Sequence, residues 1–438
     1  MEKELAGRSA ETKALIQKNY VKLGLAVSLC YMGCYIGKTI LSAFTPRLTE
    51  LGVFVKDDIG TMGFALFLAY GAGQLVNGIL GDYFNPKKYS CIGLLLSSVL
   101  VTLSPLVADS FDSVTPSIAL WAVIGFSSSM LWGPLTAIVA DNSSGRASRK
   151  IMLALNGSLV AGNLVAYLIS AIVSALFENW RIAFYISGAS MLSCMVLCFG
   201  ILTLLEKRGL IVCAAGRSRK KLTDGKKTEK LTLSLLARHA FFTTVVYTMV
   251  NGFVRNAVSF WIPTYIKETF AVGDSTASVI TMIMPILNFL GTMLGLKLLT
   301  LRIFRGSEHI LCASLFGTTF IMFGIVFALG QLGVFFLPLS MVCIFIAAAA
   351  QNSACNMIYA VFVFRFKNTG RISAFTGGLD SSAYLASAIG TKTIGLVASA
   401  IGWNMTVGFW GVVTLAGFLA CVASALISRK NGVLNSAE

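Results

Sequence analysis

The sequence predicts an all-α integral membrane protein with twelve transmembrane helices, arranged as two pseudo-symmetric six-helix bundles. Of its 438 residues, 56% are hydrophobic and only 12% are charged, about half the charged share of a soluble domain. The apolar residues fall into blocks of roughly 20, the length of a bilayer-spanning helix. A basic loop divides these blocks six and six, and the two sets share weak similarity. This pattern excludes ordinary soluble and disordered proteins.

Twelve blocks are long enough to span a bilayer, and Gly and Pro inside them are tolerated better than in soluble helices. They cover residues 20–46, 58–82, 88–108, 115–140, 148–176, 180–204, 236–265, 275–299, 308–330, 333–363, 370–400 and 404–428. The charged start has no apolar region with a cleavage site, so it is interpreted as a cytoplasmic lead-in rather than a signal peptide. The predicted organisation is a lead-in at 1–19, an N-terminal bundle at 20–204, a basic loop at 205–235, a C-terminal bundle at 236–428 and a tail at 429–438.

The excess of 35 Lys and Arg over 19 Asp and Glu gives a net charge of +16. Cations follow the even-numbered spans, and the longest cluster is the middle loop. The opposite loops carry mostly acids, with Lys56 and Lys267 as exceptions. By the positive-inside rule, both termini are predicted to be cytoplasmic. Topology therefore accounts for the charge, and no nucleic-acid partner is predicted.

Several function classes lack their signatures. The ten cysteines include no CxxC pair, and there are only two histidines, so neither a metal site nor a cofactor is predicted. No catalytic constellation or phosphate-cradling Gly-rich loop stands out, which argues against an enzyme. No filter-like repeat indicates a channel.

The two halves are related by a sequence repeat. GKTILSAFTPRLTE in the first span aligns with VRNAVSFWIPTYIKE in the seventh. The overlying pairs are Lys38 with Arg255, Ser42 with Ser259, Phe44 with Trp261 and Pro46 with Pro263. A second sequence similarity relates the segments around Trp180 and Trp403. A duplicated six-span unit is typical of transporters, whose substrate site lies near mid-membrane between the repeats.

Lys38 and Arg255 lie at similar depth within their predicted spans. A cation at the centre of a transmembrane helix costs about 2.5–3.5 kcal/mol on insertion scales, so it indicates a functional site facing a watery cavity. The alternative is that each snorkels to an interface or pairs with a buried acid.

The block GILGDYFNPKK, with Gly78, Asp82, Lys87 and Lys88, is similar to the loop 2–3 gating motif of the major facilitator superfamily. RNAVSFWIPTYIKE in span 7, IFRG at 303–306 and GGLDSSAYLASAIG in span 11 resemble one of its families in particular. This is the organophosphate:phosphate antiporter family, which includes glycerol-3-phosphate and hexose-phosphate transporters. The resemblance covers nearly the whole chain and implies the two-bundle fold and the exchange of a phosphate ester for phosphate.

The resemblance also implies a site. Family members bind phosphate with an arginine in helix 1 and another in helix 7; Arg255 matches the second, and Lys38 occupies the first. Lysine is a compact point charge, whereas arginine grips two oxygens. Aromatic, polar and ionisable positions complete the candidate substrate-binding set. The set is Lys38, Arg255, Tyr31, Tyr35, Tyr70, Gln74, Trp132, Asn156, Asn251, Asp380, Tyr384 and Lys392.

The chain departs from the family pattern at several positions. Gln74 stands where a lysine is common, and Pro285 lies near the place of a helix 8 glutamate. Asp380 and Lys392 are ionisable groups in span 11; about 18 Å apart along a helix, they cannot pair directly. Packing or interhelical hydrogen bonding is the alternative role for the aromatic and polar positions.

The leading hypothesis is a secondary carrier that exchanges a small organic phosphate for inorganic phosphate. A second hypothesis is a carrier of a carboxylate or other anion, coupled to protons through Asp380. A third is a membrane sensor of a sugar phosphate. In each case the predicted setting is a monomer in the bacterial inner membrane.

Overall fold

The computed structural model describes residues 10–81, 83–143, 145–213, 232–301, 303–304, 307–333, 336–369 and 372–431. Regular structure in these ranges is helical. The first half contains α1 (Ala10–Glu50), α2 (Lys56–Leu80), α3 (Pro86–Ser110), α4 (Thr115–Ser128), α5 (Trp132–Asn142), α6 (Gly145–Leu176) and α7 (Arg181–Lys207).

The second half begins with a helix of six residues and ends with two helices that meet at a kink. It contains α8 (Leu233–Arg238), α9 (Phe241–Phe270), α10 (Asp274–Thr281), α11 (Ile283–Leu298), α12 (Glu308–Gln331), α13 (Leu337–Ala360), a 3-10 helix (Phe362–Thr369) and α14 (Ile372–Lys430). Most of the predicted basic loop lies outside the described residues, as do residues 1–9 of the lead-in and 432–438 of the tail.

Within the described residues, ten helical segments are long and apolar enough to cross a membrane. One of them is α14, which consists of two helices that meet at a kink at Gly402, where φ is +80° and ψ is 171°. This left-handed position favours glycine and separates the predicted spans 11 and 12. The seventh predicted span is α9, a helix of 30 residues that carries Arg255, Lys267 and Glu268. The predicted all-α fold is confirmed, and the chain is a multi-pass integral membrane protein.

Two predicted spans lose regular helical hydrogen bonding at one point, although each still counts as one span-length helix. Span 4 divides into α4 and α5, and span 8 divides into α10 and α11 around Met282. Pro134 and Pro285 lie in the first turn of the second helix of each pair. A proline has no N–H to donate, and its ring clashes with the carbonyl four residues earlier. Each break therefore falls about one turn before a proline.

The two halves contact each other mainly through α1 with α9, α2 with α14, and α6 with α10, and to a smaller extent through α6 with α11 and α1 with α10. The Ser42 hydroxyl donates to the carbonyl of Phe260 at 2.6 Å and approaches that of Ser259 at 3.3 Å. Ser42 and Ser259 are overlying positions in the sequence repeat, so the repeat partners meet at the boundary between the halves. The bundle boundaries drawn from sequence remain a prediction.

Ion pairs close one end of this boundary, which we call the closed end; it carries the loops at 51–55 and 271–273. Lys267 Nζ lies 2.8 Å from Glu50 of the first half and 2.6 Å from Asp274. Lys56 Nζ lies 2.5 Å from Glu268, whose carboxylate also accepts from the Trp403 indole at 2.7 Å. Lys56 and Lys267, the exceptions to the charge pattern, thus join the two halves.

At the opposite end, the described ion pairs lie within one half. Lys87 at the start of α3 pairs with Glu206 at the end of α7. Arg365 pairs with Glu308 through two hydrogen bonds of 2.5 and 2.6 Å. Within the described ranges, no ion pair joins the two halves here. Ion pairing thus holds the halves together at the closed end.

Candidate functional site

Lys38 is surrounded by aromatic rings in the middle of α1. Its Nζ lies 3.5 Å from the ring centroid of Tyr70, 4.9 Å from that of Tyr35 and 5.2 Å from that of Tyr384. All three distances are within the roughly 6 Å range of cation–π attraction. Only 8% of Lys38 is exposed. We call these three tyrosines the Lys38 cage.

The cage belongs to a larger aromatic cluster that spans both halves. Tyr70 of α2 and Tyr384 of α14 have ring centroids 4.6 Å apart. Their helices approach so closely that a β-carbon on Gly71 would lie 2.8 Å from that of Tyr384. Tyr31 extends the cluster on α1, with centroids 5.1 Å from those of both Tyr35 and Trp132. The predicted aromatic face of α1 is therefore assembled against residues from both halves.

Arg255 lies on α9, across the boundary from Lys38, and is half-buried. Its Nε is buried and has no hydrogen-bond partner within the described residues. Lys38 and Arg255 lie within electrostatic range of each other. Neither forms an ion pair with a described carboxylate within 4.0 Å. The structure thus brings the two predicted cations to one site and leaves both without an anion.

Asp380 is the acid of this site. It is half-buried on α14, four residues before Tyr384 and therefore on the same helix face. The carboxylate lies within electrostatic range of Arg255 and Lys38, and it interacts with the Tyr359 hydroxyl. In the part of the chain that the structure describes, no cation lies within 4.0 Å of it. Asp380 therefore influences both cations without an ion pair to either.

Two residues on α13 complete the surroundings of Arg255, and the sequence argument did not single them out. Cys355 and Tyr359 both lie within electrostatic range of the guanidinium. Cys355 is half-buried, whereas the other nine cysteines are buried. Their spacing of four residues places them on one helix face.

Other predicted site residues lie elsewhere. Asn251 is only 1% exposed, and its amide donates to the backbone and side-chain oxygens of Gln351 at 2.8 Å each. This buried pair stabilises helix packing in the second half. Lys392 lies beside Gly60 near the start of α2, two turns beyond Tyr384 toward the closed end. These two residues therefore lie outside the Lys38 cage.

Gln74 and Asn156 occupy intermediate positions. Gln74 is half-buried, one helical turn after Tyr70 on α2. Asn156 on α6 is exposed, and its amide donates to the Met152 carbonyl at 2.9 Å. The latter bond is local to the helix, so it leaves the amide oxygen of Asn156 available.

The predicted gating motif is built into the first half. Lys87 is 5% exposed and pairs with Glu206. The Asn85 side chain accepts from the Lys88 backbone N–H at 3.1 Å and caps α3, while Lys88 itself is exposed. Gly78 is also exposed, and Asp82 lies outside the described residues. The described part of the motif fixes α3 to α7 rather than one half to the other.

Comparisons with known proteins agree with this architecture. The sequence profile of the Major Facilitator Superfamily matches residues 27–378. Among solved structures, the xylose transporter XylE from E. coli superimposes with a TM-score of 0.66 at 14% identity, over 91% of this chain and 98% of that one. A bacterial homolog of the human lysosomal transporter Spinster gives 0.62 at 13% identity, over 95% and 96%.

Similar curated proteins are named for sugar phosphates or glycerol phosphate. The membrane sensor protein UhpC of Salmonella typhimurium is 23% identical over 282 residues, 62% of each chain. The glycerol-3-phosphate transporter of Bacillus subtilis is 24% identical over 57% of this chain and 59% of its own. A probable hexose phosphate transport protein of Chlamydia pneumoniae is 23% identical over 60% and 61%. The chain thus spans about three fifths of the length of these relatives.

Proposed function

Because this chain belongs to the Major Facilitator Superfamily, we propose that it is a secondary transporter, not an enzyme, and that its substrate is a small organic phosphate. The observation that carries this proposal is the pair of cations at the boundary between the halves. Lys38 and Arg255 face one site, and neither has an ion pair among the described residues. A phosphate group supplies the negative charge that both cations lack, and it accepts a hydrogen bond from the Nε–H of Arg255.

Phosphate is favoured because its oxygens can contact several donors at once. Arg255 offers a planar set of donors, and Lys38 offers a point charge held by the cage. The phosphate lies between them, with Tyr31, Tyr35, Tyr70 and Gln74 around it. The names of the curated relatives support the same substrate class.

Exchange with inorganic phosphate follows from charge repulsion. An empty site keeps Lys38 and Arg255 close together in a medium of low dielectric constant, where like charges repel strongly. A bound phosphate offsets this repulsion and lets the halves approach. The carrier then changes orientation mainly when an anion is bound, and transport becomes an exchange of a phosphate ester for phosphate.

The ion pairs at the closed end support a path for the substrate from the other end. By the positive-inside rule, the end opposite the closed end faces the cytoplasm, together with both termini. The proposed setting is a monomer in the bacterial inner membrane. Alternating access then requires Lys56–Glu268 and Lys267–Glu50 to break when the closed end opens.

Proteoliposomes loaded with inorganic phosphate test the proposal. We expect external glycerol phosphate or hexose phosphate to stimulate phosphate efflux, and carboxylates of similar size to have no such effect. Efflux driven by carboxylates alone, with uptake that requires a pH gradient and Asp380, would support the proton-coupled alternative.

The sensor alternative has a separate signature, and the resemblance to UhpC motivates testing it. A sensor binds a sugar phosphate without moving it. A ligand that binds only the folded protein raises its thermal stability, so a thermal-shift screen detects binding independently of flux. Stabilisation by hexose phosphate with no exchange in either direction would contradict transport and support sensing.

A further inference from the structure

The carboxylate of Asp380 has no role if the substrate is simply an anion. It lies within electrostatic range of Lys38 and Arg255 and interacts with Tyr359, yet none of the described cations lies within 4.0 Å of it. An ionised group held away from water is costly without a partner. A carboxylate aimed at a phosphate would also weaken phosphate binding through repulsion. A partner for Asp380 is therefore expected from the substrate.

The charges of the site give the net charge of that substrate. Lys38 and Arg255 carry two positive charges, and Asp380 in its ionised form leaves the site with one positive charge. The backbone of Lys392 lies apart from these three groups, beside Gly60. A phosphate monoester with two negative charges exceeds what the site can balance, whereas the same ester with an ammonium group balances it.

We propose that the site is selective for phosphate monoesters or phosphonates that carry an amino group, with Asp380 as the residue that binds the ammonium. This inference rests on the proposed function, because it assumes that Lys38 and Arg255 bind the phosphate. Asp380 then recognises the opposite end of the same molecule. Neither cation lies within 4.0 Å of the carboxylate, so neither forms an ion pair with it among the described residues.

Aromatic rings near Asp380 suit an ammonium group. Tyr359 interacts with the carboxylate, and Tyr384 lies one turn further along α14. Tyrosine faces attract cations, as the Lys38 cage already shows at Tyr384. The two ends of the site thus differ in sign: cations for the phosphate, and a carboxylate with aromatic rings for the amine.

Matched ligand pairs that differ by one amino group test this assignment. The pairs are phosphoethanolamine with ethyl phosphate, and glucosamine 6-phosphate with glucose 6-phosphate. Binding to the purified full chain is measured by thermal shift and by isothermal titration at roughly pH 7.5, above the second pKa of about 6 of a phosphate monoester. We expect the amino member of each pair to bind about tenfold more tightly, equivalent to about 1.4 kcal/mol.

Substitutions at Asp380 test the residue. Asp380→Asn should bring the two members of each pair within about threefold of each other, equivalent to about 0.7 kcal/mol, whereas Asp380→Glu, which keeps the charge, should keep the preference. Asp112→Asn, at an exposed acid in the loop after α3, is the matched control and should keep the wild-type preference. If Asp380→Asn fails to fold, the Asp380→Glu variant and the wild-type ligand pairs still decide the question.

Three outcomes would overturn the inference, and each has a distinct meaning. Equal binding of both members by the wild type removes the amine site while leaving the proposed phosphate site intact. Tighter binding of the simple esters as the pH falls from about 8 to about 6, lost in Asp380→Asn, identifies Asp380 as a proton site instead. If no phosphate compound binds, including inorganic phosphate, the proposed function fails as well.

Discussion

The central site and the closed end both place cations at the boundary between the halves, but they treat those cations differently. At the closed end, Lys56 and Lys267 lie within 2.8 Å of carboxylates. At the central site, Lys38 and Arg255 have no ion pair among the described residues. The nearby acid Asp380 forms an ion pair with neither of them. A cation paired within the protein has a structural role that needs no ligand. A cation left unpaired at a costly depth indicates that something else supplies the anion.

The difference between the two regions also follows from their surroundings. The closed end is near the predicted membrane surface, and the Glu50 side chain there is 49% exposed. Ion pairs in such places contribute about 0–1 kcal/mol each, so they can break during a transport cycle. Lys38 of the central site is only 8% exposed, and an anion bound beside it is less screened by water. We therefore expect substitutions at the central site to have the larger effects.

The largest expected effect is that of Arg255→Ala. Removing one partner of a buried, hydrogen-bonded charge pair costs about 2–5 kcal/mol, so phosphate exchange in proteoliposomes should fall by about 100-fold or more. Ligand-free thermal stability should stay the same or rise, because no internal ion pair is lost. A loss of stability without a loss of exchange would show that Arg255 is a packing residue.

A smaller effect is expected from the cage. Tyr70→Leu removes the ring nearest to Lys38 Nζ and with it a cation–π contact of about 1–2 kcal/mol. Substrate affinity should fall by about tenfold. Tyr70→Phe is the matched control, since it keeps the ring and should bind within about twofold of the wild type. Equal losses in both variants would assign the effect to the hydroxyl instead.

Substitutions at the closed end should change how accessible the central site is from that end, rather than its affinity for substrate. Lys56→Gln and Glu268→Gln each break the same pair, so each should increase opening at this end by about threefold. Opening is measured by the rate at which a membrane-impermeant thiol reagent, added from the closed-end side, labels Cys355. Cys355→Ser provides the background, because the other cysteines are buried.

A double variant sharpens this test. If Lys56 and Glu268 act through their mutual contact, the double substitution should open the end no more than either single one. Additive effects would mean that the two side chains act separately, for instance through the bond from Trp403 to Glu268.

The smallest expected effect is that of Lys392→Gln. This lysine was predicted as a substrate contact, but it lies beside Gly60 and away from the Lys38 cage. Substrate affinity measured by titration should change by less than about twofold, a small fraction of the effect of Lys38→Gln in the same assay. A loss comparable to that of Lys38→Gln would place Lys392 in the site during another step of the cycle.

The sequence alone was sufficient for the membrane class, the helix count and the alignment of Lys38 with Arg255 in the repeat. These follow from hydrophobicity and from the repeat, and both are local properties that can be read along the chain. The Lys38 cage was predicted in part, because Tyr31 and Tyr35 share a helix face with Lys38 and their spacing reveals this. Cys355 and Tyr359 were missed, because nothing in span 10 indicates that they face Arg255 across a helix boundary.

Only the tertiary structure decided which charges are paired. Lys56 and Lys267 were exceptions to a charge pattern in the sequence, and Lys38 was a lysine where an arginine was expected. Ion pairing depends on distances of a few ångströms between residues more than two hundred positions apart, and the sequence does not encode such distances locally. The helix packing brings acids to the first two lysines and tyrosines to the third, and this separates structural cations from those proposed to bind substrate.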